Sequence, residues 1–94
     1  MRLEWTRAAS SDLDSVEQFN SRDNPSAAIG TILEIIRHVG VLAEHPGIGR
    51  PGRVEGTREL VIAGLPYVVA YLHRDDIVTV LRVLHGAMKW PERF

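Results

Sequence analysis

Residues 45–60, HPGIGRPGRVEGTREL, decide how the chain is read. Before them the apolar residues recur with a helical period, and after them with a period of two. Within them lies Gly47-x-Gly49-x-x-Gly52, a literal match to the dinucleotide-binding fingerprint. That fingerprint needs a strand before it and a helix after it, because the helix N-terminus holds the pyrophosphate. Here the order is reversed, and Pro51 removes one of the backbone donors. The glycines therefore read as a means of turning the chain from helix to sheet.

Upstream, residues 2–6 read as a short strand and Thr6 as a helix N-cap, with Ser10 and Ser11 as later candidates. A helix then runs to about Ser21. Ala9, Leu13, Val16 and Asn20 form its inner stripe, with Phe19 flanking it, and Asp12, Asp14, Glu17 and Arg22 take the other side. Asp23-Asn24-Pro25 breaks the chain and restarts it, Asn24 as cap and Pro25 at the first helical position. The second helix runs to about Glu44, with Ile29, Ile32, Leu33, Ile36, Val39 and Leu42 as its core stripe, and Pro46 ends it. The short link makes the two helices an antiparallel hairpin.

Downstream, Thr57–Ala63 and Tyr67–His73 read as strands joined by a turn at Gly64-Leu65-Pro66. Arg74-Asp75-Asp76 turns the chain again into the last and longest strand, Ile77–His85. Gly86–Phe94 is an irregular tail carrying Trp90-Pro91. Residues 1–94 are thus a single α+β domain of order β-α-α-β-β-β. A helical hairpin packs on one face of a small antiparallel sheet. No element remains for the sheet's other face, which makes that face the expected place for function.

Composition bounds the chemistry. A 94-residue chain buries roughly 60–65% of its unfolded surface, enough for one core and no separate cofactor domain. The net charge of −1 argues against broad phosphate binding, which usually needs a basic surface. Without cysteine there are no disulfides, thiolate zinc sites or cysteine nucleophiles. His38, His45 and His73 lack metal-ligand spacing, so neither metal nor cofactor is expected. Met1–Trp5 lacks the apolar core of a signal peptide, and no stretch reaches the ~20 apolar residues of a bilayer span. A cytoplasmic protein without membrane contact is expected.

Read together, HPGIGRPGRVEGTRELVIAGLPYVVAYL, VLRVLHGAMKWP and the opening EWTRAASSDLDSVEQF resemble the RelE/ParE superfamily of toxin–antitoxin toxins. The helical hairpin, the Pro-x-x-Gly-Arg loop, the Thr-Arg-Glu-Leu strand, the Pro-Tyr-x-x-x-Tyr strand and the final Leu-His-Gly follow in the family's order. Each motif is weak alone; the ordered set covers nearly the whole chain. The resemblance implies a toxin neutralised by a cognate antitoxin, and with it growth arrest and plasmid stabilisation. The antitoxin's C-terminal part would be disordered alone and fold on binding.

The superfamily has two branches. RelE-like members cut mRNA on the ribosome, whereas ParE-like members inhibit DNA gyrase. Metal-free RNA cleavage needs a base, an acid and cations around one phosphate. Arg58 matches the superfamily's strand arginine, and His85 matches the terminal histidine of some nuclease members. Nuclease members typically carry arginine where Val68 stands, and often a tyrosine or similar residue where Gly86 stands. Val68 with Ala70 resembles the Tyr-Val-Ile-Ala-Tyr version of ParE-like members. The ParE-like branch is therefore favoured, with gyrase as target. The alternative is a ribosome-dependent endoribonuclease using Arg58 and His85, and a third reading is an inactive remnant kept as a co-repressor.

Each candidate also has a plain structural reading. Arg58 suits an exposed cation or a partner for Glu59 or Glu55 equally well. His85 suits a hydrogen-bonded histidine at a strand end. Arg82 shares the alternating face of Val80 and Leu84, while Tyr67 and Tyr71 share one with Val69 and read as packing residues. Arg50 and Arg53 are loop charges able to meet an acidic antitoxin segment or gyrase. In the tail, Lys89, Trp90 and Arg93 are candidates for target contact, with Trp90 expected to pack on its own chain.

Overall fold

A computed structural model describes residues 1–94. Strand β1 (Arg2–Trp5) leads into helix α1 (Arg7–Ser21) and helix α2 (Pro25–Val41). Strands β2 (Arg50–Pro51), β3 (Arg58–Val61), β4 (Tyr67–Arg74) and β5 (Ile77–His85) follow. The five strands form one sheet in the order β1-β5-β4-β3-β2.

The caps are those the side chains dictate. Thr6 Oγ1 accepts the Ala9 N–H at 3.0 Å, and Asn24 Oδ1 accepts the Ala27 N–H at 3.2 Å with Pro25 just inside the helix. The hairpins β3–β4 and β4–β5 are antiparallel, as their short turns require. Gly64 turns the first with φ of 79°, and Asp75 turns the second in the left-handed region at φ 55°.

Two features depart from the sequence reading of the sheet. It is mixed, because β1 pairs with β5 in parallel, Trp5 opposite Val80. The whole hairpin and three strands separate β1 from β5, so no tight turn constrains their direction. The glycine-rich loop also contributes β2, an edge strand pairing Arg50 with Glu59 and Pro51 with Arg58. Pro51 suits such an edge, where no further ladder needs its missing N–H.

The core lies between the hairpin and one sheet face. Ala9, Val16, Ile35, Val39 and Leu42 of the helical segment meet Tyr67, Val69, Tyr71, Val78, Val80 and Val83 of the sheet. The expected stripe of α2 holds only in part. Val39 and Leu42 are buried and Ile32 is half-buried, but Ile29 and Leu33 are 58% and 60% exposed and Ile36 is also exposed. Ala28 and Ile35 take the inner line instead. α1 lies directly against β5, while α2 packs chiefly on α1, so α2 presents a narrow inner line to the core. Its apolar residues outnumber that line and spill onto the solvent side.

A bulge at Ala70/Tyr71 also changes the facing of β5. Tyr71 stands opposite Val80 while Ala70 stands opposite Arg82, so Val80 and Arg82 face opposite ways rather than sharing a face. Nor is the second sheet face bare. Val68, Ala70 and Leu84 on it are buried, and the tail returns over it. A Cβ on Gly86 would stand 3.7 Å from Val68 Cγ2, and Trp90 spans from β5 toward the β3 side.

The glycines of the opening stretch serve packing. A Cβ on Gly49 would lie 2.5 Å from the Tyr71 hydroxyl and 2.9 Å from Glu59 O, and one on Gly52 would collide with Thr57 Oγ1. A Cβ on Gly47 meets nothing within 4 Å. Gly49→Ala is therefore expected to destabilise the fold by about 2–3 kcal/mol, whereas Gly47→Ala stays within ~0.5 kcal/mol, as read by denaturant unfolding.

Candidate functional site

Strand alternation puts Glu59 on the face opposite the helices, beside Ala70. Its side chain is only 2% exposed, and a carboxylate so buried must be paired. The loop supplies the partners. Arg50 donates to Glu59 Oε1 through Nε at 3.2 Å and Nη2 at 3.0 Å. The Arg53 N–H donates to Oε2 at 2.7 Å, and the Arg53 guanidinium stands 3.7 Å from the same oxygen. Both arginines keep about half of their side-chain surface in solvent.

The tail closes over this cluster. The Arg53 guanidinium lies 3.9 Å from the centroid of the Trp90 ring, and the Trp90 indole N–H donates to His85 O at 3.3 Å. The structure thus brings Arg50, Arg53 and Trp90 together around one carboxylate. Trp90 packs on its own chain, as expected. Lys89 is exposed and forms no ion pair; Arg93 borders a second, smaller groove with Phe94, Thr6 and Arg82.

Arg58 and His85 are not brought together. Arg58 stands opposite Tyr71 and His85 opposite Tyr67, on the two flanks of β4. Four residues of strand separate those registers, roughly 13 Å at 3.3 Å per residue. Arg58 donates to Gly49 O at 2.8 Å, which makes it a tether for the loop and not a partner of Glu59 or Glu55. His85 is exposed, sets the Tyr67 ring edge-on at 5.8 Å, and accepts the Ala87 N–H through Nδ1 at 3.1 Å.

Tyr71 anchors the loop from beneath. Its hydroxyl donates to Pro46 O at 2.7 Å and accepts the Gly49 N–H at 2.9 Å. Burial pushes the phenol above its ordinary value, opposed by the Gly49 N–H and the nearby Arg58 cation. At the other end of the sheet Asp12 grips Arg82 with both oxygens, at 2.7 and 3.0 Å, and accepts the Val83 N–H at 2.9 Å. Those bonds hold the Arg82 guanidinium above its usual range. Between α1 and the end of β5 lies an open groove of about 360 Å³, lined by Val16, Phe19, Tyr67, Leu84 and Met88 among others. No group of three or more His, Cys, Asp or Glu side chains is placed to hold a metal.

Glu59, Asp12 and the exposed stripe of α2 are the features the sequence reading missed. The signal for Glu59 was its place in the strand alternation, out of phase with Arg58 and Leu60.

Comparison with known proteins follows the same outline. Residues 3–90 match the family model described as the ParE toxin of type II toxin–antitoxin system, parDE. The Sinorhizobium fredii protein "Putative toxin Y4kP" is 41% identical over 91 residues, covering 97% of this chain and 94% of its own. "Toxin RelE2" of Caulobacter vibrioides is 34% identical over 83 residues, covering 88% and 92%. A solved chain of the chromosomal ParDE TA system from P. aeruginosa superposes with TM-score 0.84 at 28% identity, covering 90% of this chain and 95% of that one.

Two outcomes follow from this geometry. Glu59→Ala removes the centre of the cluster and is expected to cost about 1–3 kcal/mol, and to speed tryptic cleavage after Lys89 as Arg53 releases Trp90. The raised Tyr71 pKa gives a sign in alkali. Its stabilisation is present below pH 10.0, the phenol's ordinary value, and is lost as pH rises, because the unfolded chain ionises first. Tyr71→Phe should be less stable at neutral pH by about 1–2 kcal/mol and should lose that alkaline slope in denaturant titrations.

Proposed function

Because the chain belongs to the ParE toxin family of type II toxin–antitoxin systems, we propose that it arrests growth by binding and inhibiting DNA gyrase, and that a cognate antitoxin silences it by covering its surface. The observation that carries the binding reading is the separation of Arg58 from His85. General acid–base cleavage needs both groups within hydrogen-bond reach of one phosphate, about 3 Å each. Here Arg58 is spent on loop carbonyls and His85 sits at the far register of β4.

Electrostatics supports the same reading. Arg50 and Arg53 share the buried carboxylate of Glu59 and Arg82 is paired with Asp12, so these three cations are engaged within the fold rather than gathered around one phosphate site. A protein partner asks for less charge and more apolar surface. The exposed Ile29, Leu33 and Ile36 of α2 and the half-buried Trp90 offer that surface. Arg50, Arg53, Lys89, Trp90 and Arg93 are assigned to partner contacts, with Lys89 and Arg93 the charges least engaged within the fold. Occlusion by an antitoxin segment needs no chemistry, only buried area and an ordering cost. The cytoplasm is where such a target would be met.

The competing ribonuclease reading makes opposite predictions. Induced without antitoxin, the chain is expected to stop growth and block a purified supercoiling reaction, with no new transcript ends. Truncation after Ala87 should weaken gyrase inhibition by about tenfold or more, while His85→Ala changes it by less than about twofold. Fresh transcript ends lost in His85→Ala would establish the ribonuclease instead. An absence of growth arrest would leave only the co-repressor.

A further inference from the structure

The two helices show solvent very different faces. The exposed side of α1 carries Ser10, Asp14, Glu17 and Gln18, a polar set of the usual kind. That of α2 carries Ser26, Ile29, Leu33, Ile36 and Gly40, with Ile29 58%, Leu33 60% and Ile36 45% exposed. The steps between these five are three, four, three and four residues, the spacing of a seam between two packed helices. The inner line of α2, Ala28, Ile32, Ile35 and Val39, has the same alternating steps and is filled by α1 and the core. α2 therefore carries two seams, one occupied and one open.

The open seam favours a second copy of itself. Its charge is closed, because the flanking Glu34 and Arg37 pair with each other. It presents no net charge that would select an opposite partner or repel an identical one. Gly30 and Gly40 leave gaps that the chain does not use, since a Cβ on either meets nothing within 4 Å. Each glycine weakens the helix relative to alanine with no return inside the fold. An antiparallel copy fills both gaps. With the two-fold axis between Glu34 and Ile35, Leu33 faces Ile36 of the second copy, Ile29 enters the gap over its Gly40, and Arg37 flanks its Gly30. A parallel copy would set Gly40 on Gly40 and leave a void.

The area sets the strength. The 17 residues of α2 span about 25 Å at ~1.5 Å per residue. A seam of that length and about 10 Å width hides on the order of 400 Å² per copy, about half of a standard interface. That suits a weak, reversible dimer.

We propose that two copies of the chain associate through the outer face of α2 as an antiparallel, two-fold pair, with Kd on the order of 100 µM. The pairing concerns the free chain and does not rest on the gyrase reading.

Sedimentation equilibrium of the full chain, from about 5 µM to about 1 mM, should show the mass rising from 10.5 kDa toward twice that value. Leu33→Asp lies on an exposed side chain and should weaken association at least about tenfold with unfolding unchanged. Gly40→Leu closes the gap and should weaken it about tenfold while the fold becomes no less stable. Met88→Asp in the tail should leave association intact. The chain has no cysteine, so introduced ones report orientation. Under oxidation, Ile29→Cys mixed with Gly40→Cys should cross-link to each other, and neither variant to itself. In the antiparallel pair like positions lie eleven residues apart along the axis, about 16 Å, beyond the ~7 Å reach of a disulfide. A monomer mass at about 1 mM, or full association by both Leu33→Asp and Gly40→Leu, would overturn the proposal. So would cross-links in the separate cysteine variants without one in the mixture. A dimer abolished by Met88→Asp would place the contact beside the α1–β5 groove and overturn it too.

Discussion

The phenol of Tyr71 has the widest reach of any group in the molecule. It holds Pro46 O and the Gly49 N–H at once, so the end of the helical segment and the middle of the glycine-rich loop are fixed to the central strand. Gly49 lies so close to the ring that no side chain fits there. With Gly49 seated, Arg50 and Pro51 fall into register with β3, and the Arg50 guanidinium reaches Glu59. Arg53, three residues on, gives its N–H to the same carboxylate and its guanidinium to Trp90. The edge strand, the buried carboxylate and the tail thus depend in turn on one buried hydroxyl. Burial keeps that hydroxyl protonated, which preserves its donor to Pro46.

Asp12 does the matching work at the opposite edge. It closes an unpaired strand position with one oxygen and matches a cation with both. Each of the two carboxylates therefore does a structural task in which a backbone N–H and an arginine share the acceptor. Such pairs add little net stability when the arginine is half in water, but they are specific in direction. They engage Arg50, Arg53 and Arg82 within the fold.

The helices, their caps and the two hairpins are legible because each depends on neighbours within a few residues. Thr6, Asn24, Pro25 and Gly64 act locally, and period alone marks the strands Tyr67–His73, which in the structure runs one residue further, and Ile77–His85. What failed depended on distant partners. Nothing near Arg2–Trp5 tells that they lie parallel to β5, and nothing near Ile29 and Leu33 tells that α2 leans on α1. At the site, Arg50, Arg53 and Trp90 were singled out as separate charges and a lone aromatic. Their common centre, Glu59, was weighed only as a partner of Arg58. Its partners come from the loop, and one of them, Arg53, stacks on Trp90, nearly forty residues on, a return that no local pattern encodes.

The strength of that return bears on how the tail works in the proposed binding reading. Trp90 is held by one indole bond, worth about 1 kcal/mol, and by a half-exposed cation–π contact, worth about 0.5–1 kcal/mol. A hold of about 1.5–2 kcal/mol leaves the tail undocked a few per cent of the time. A partner that buries Trp90 in a closed pocket gains more than that from the indole's area alone. The tail then lies on Arg53 in the free chain and is a ready anchor in a complex. Releasing it does not unfold the sheet, because Tyr71 and Asp12 hold the two edges without it.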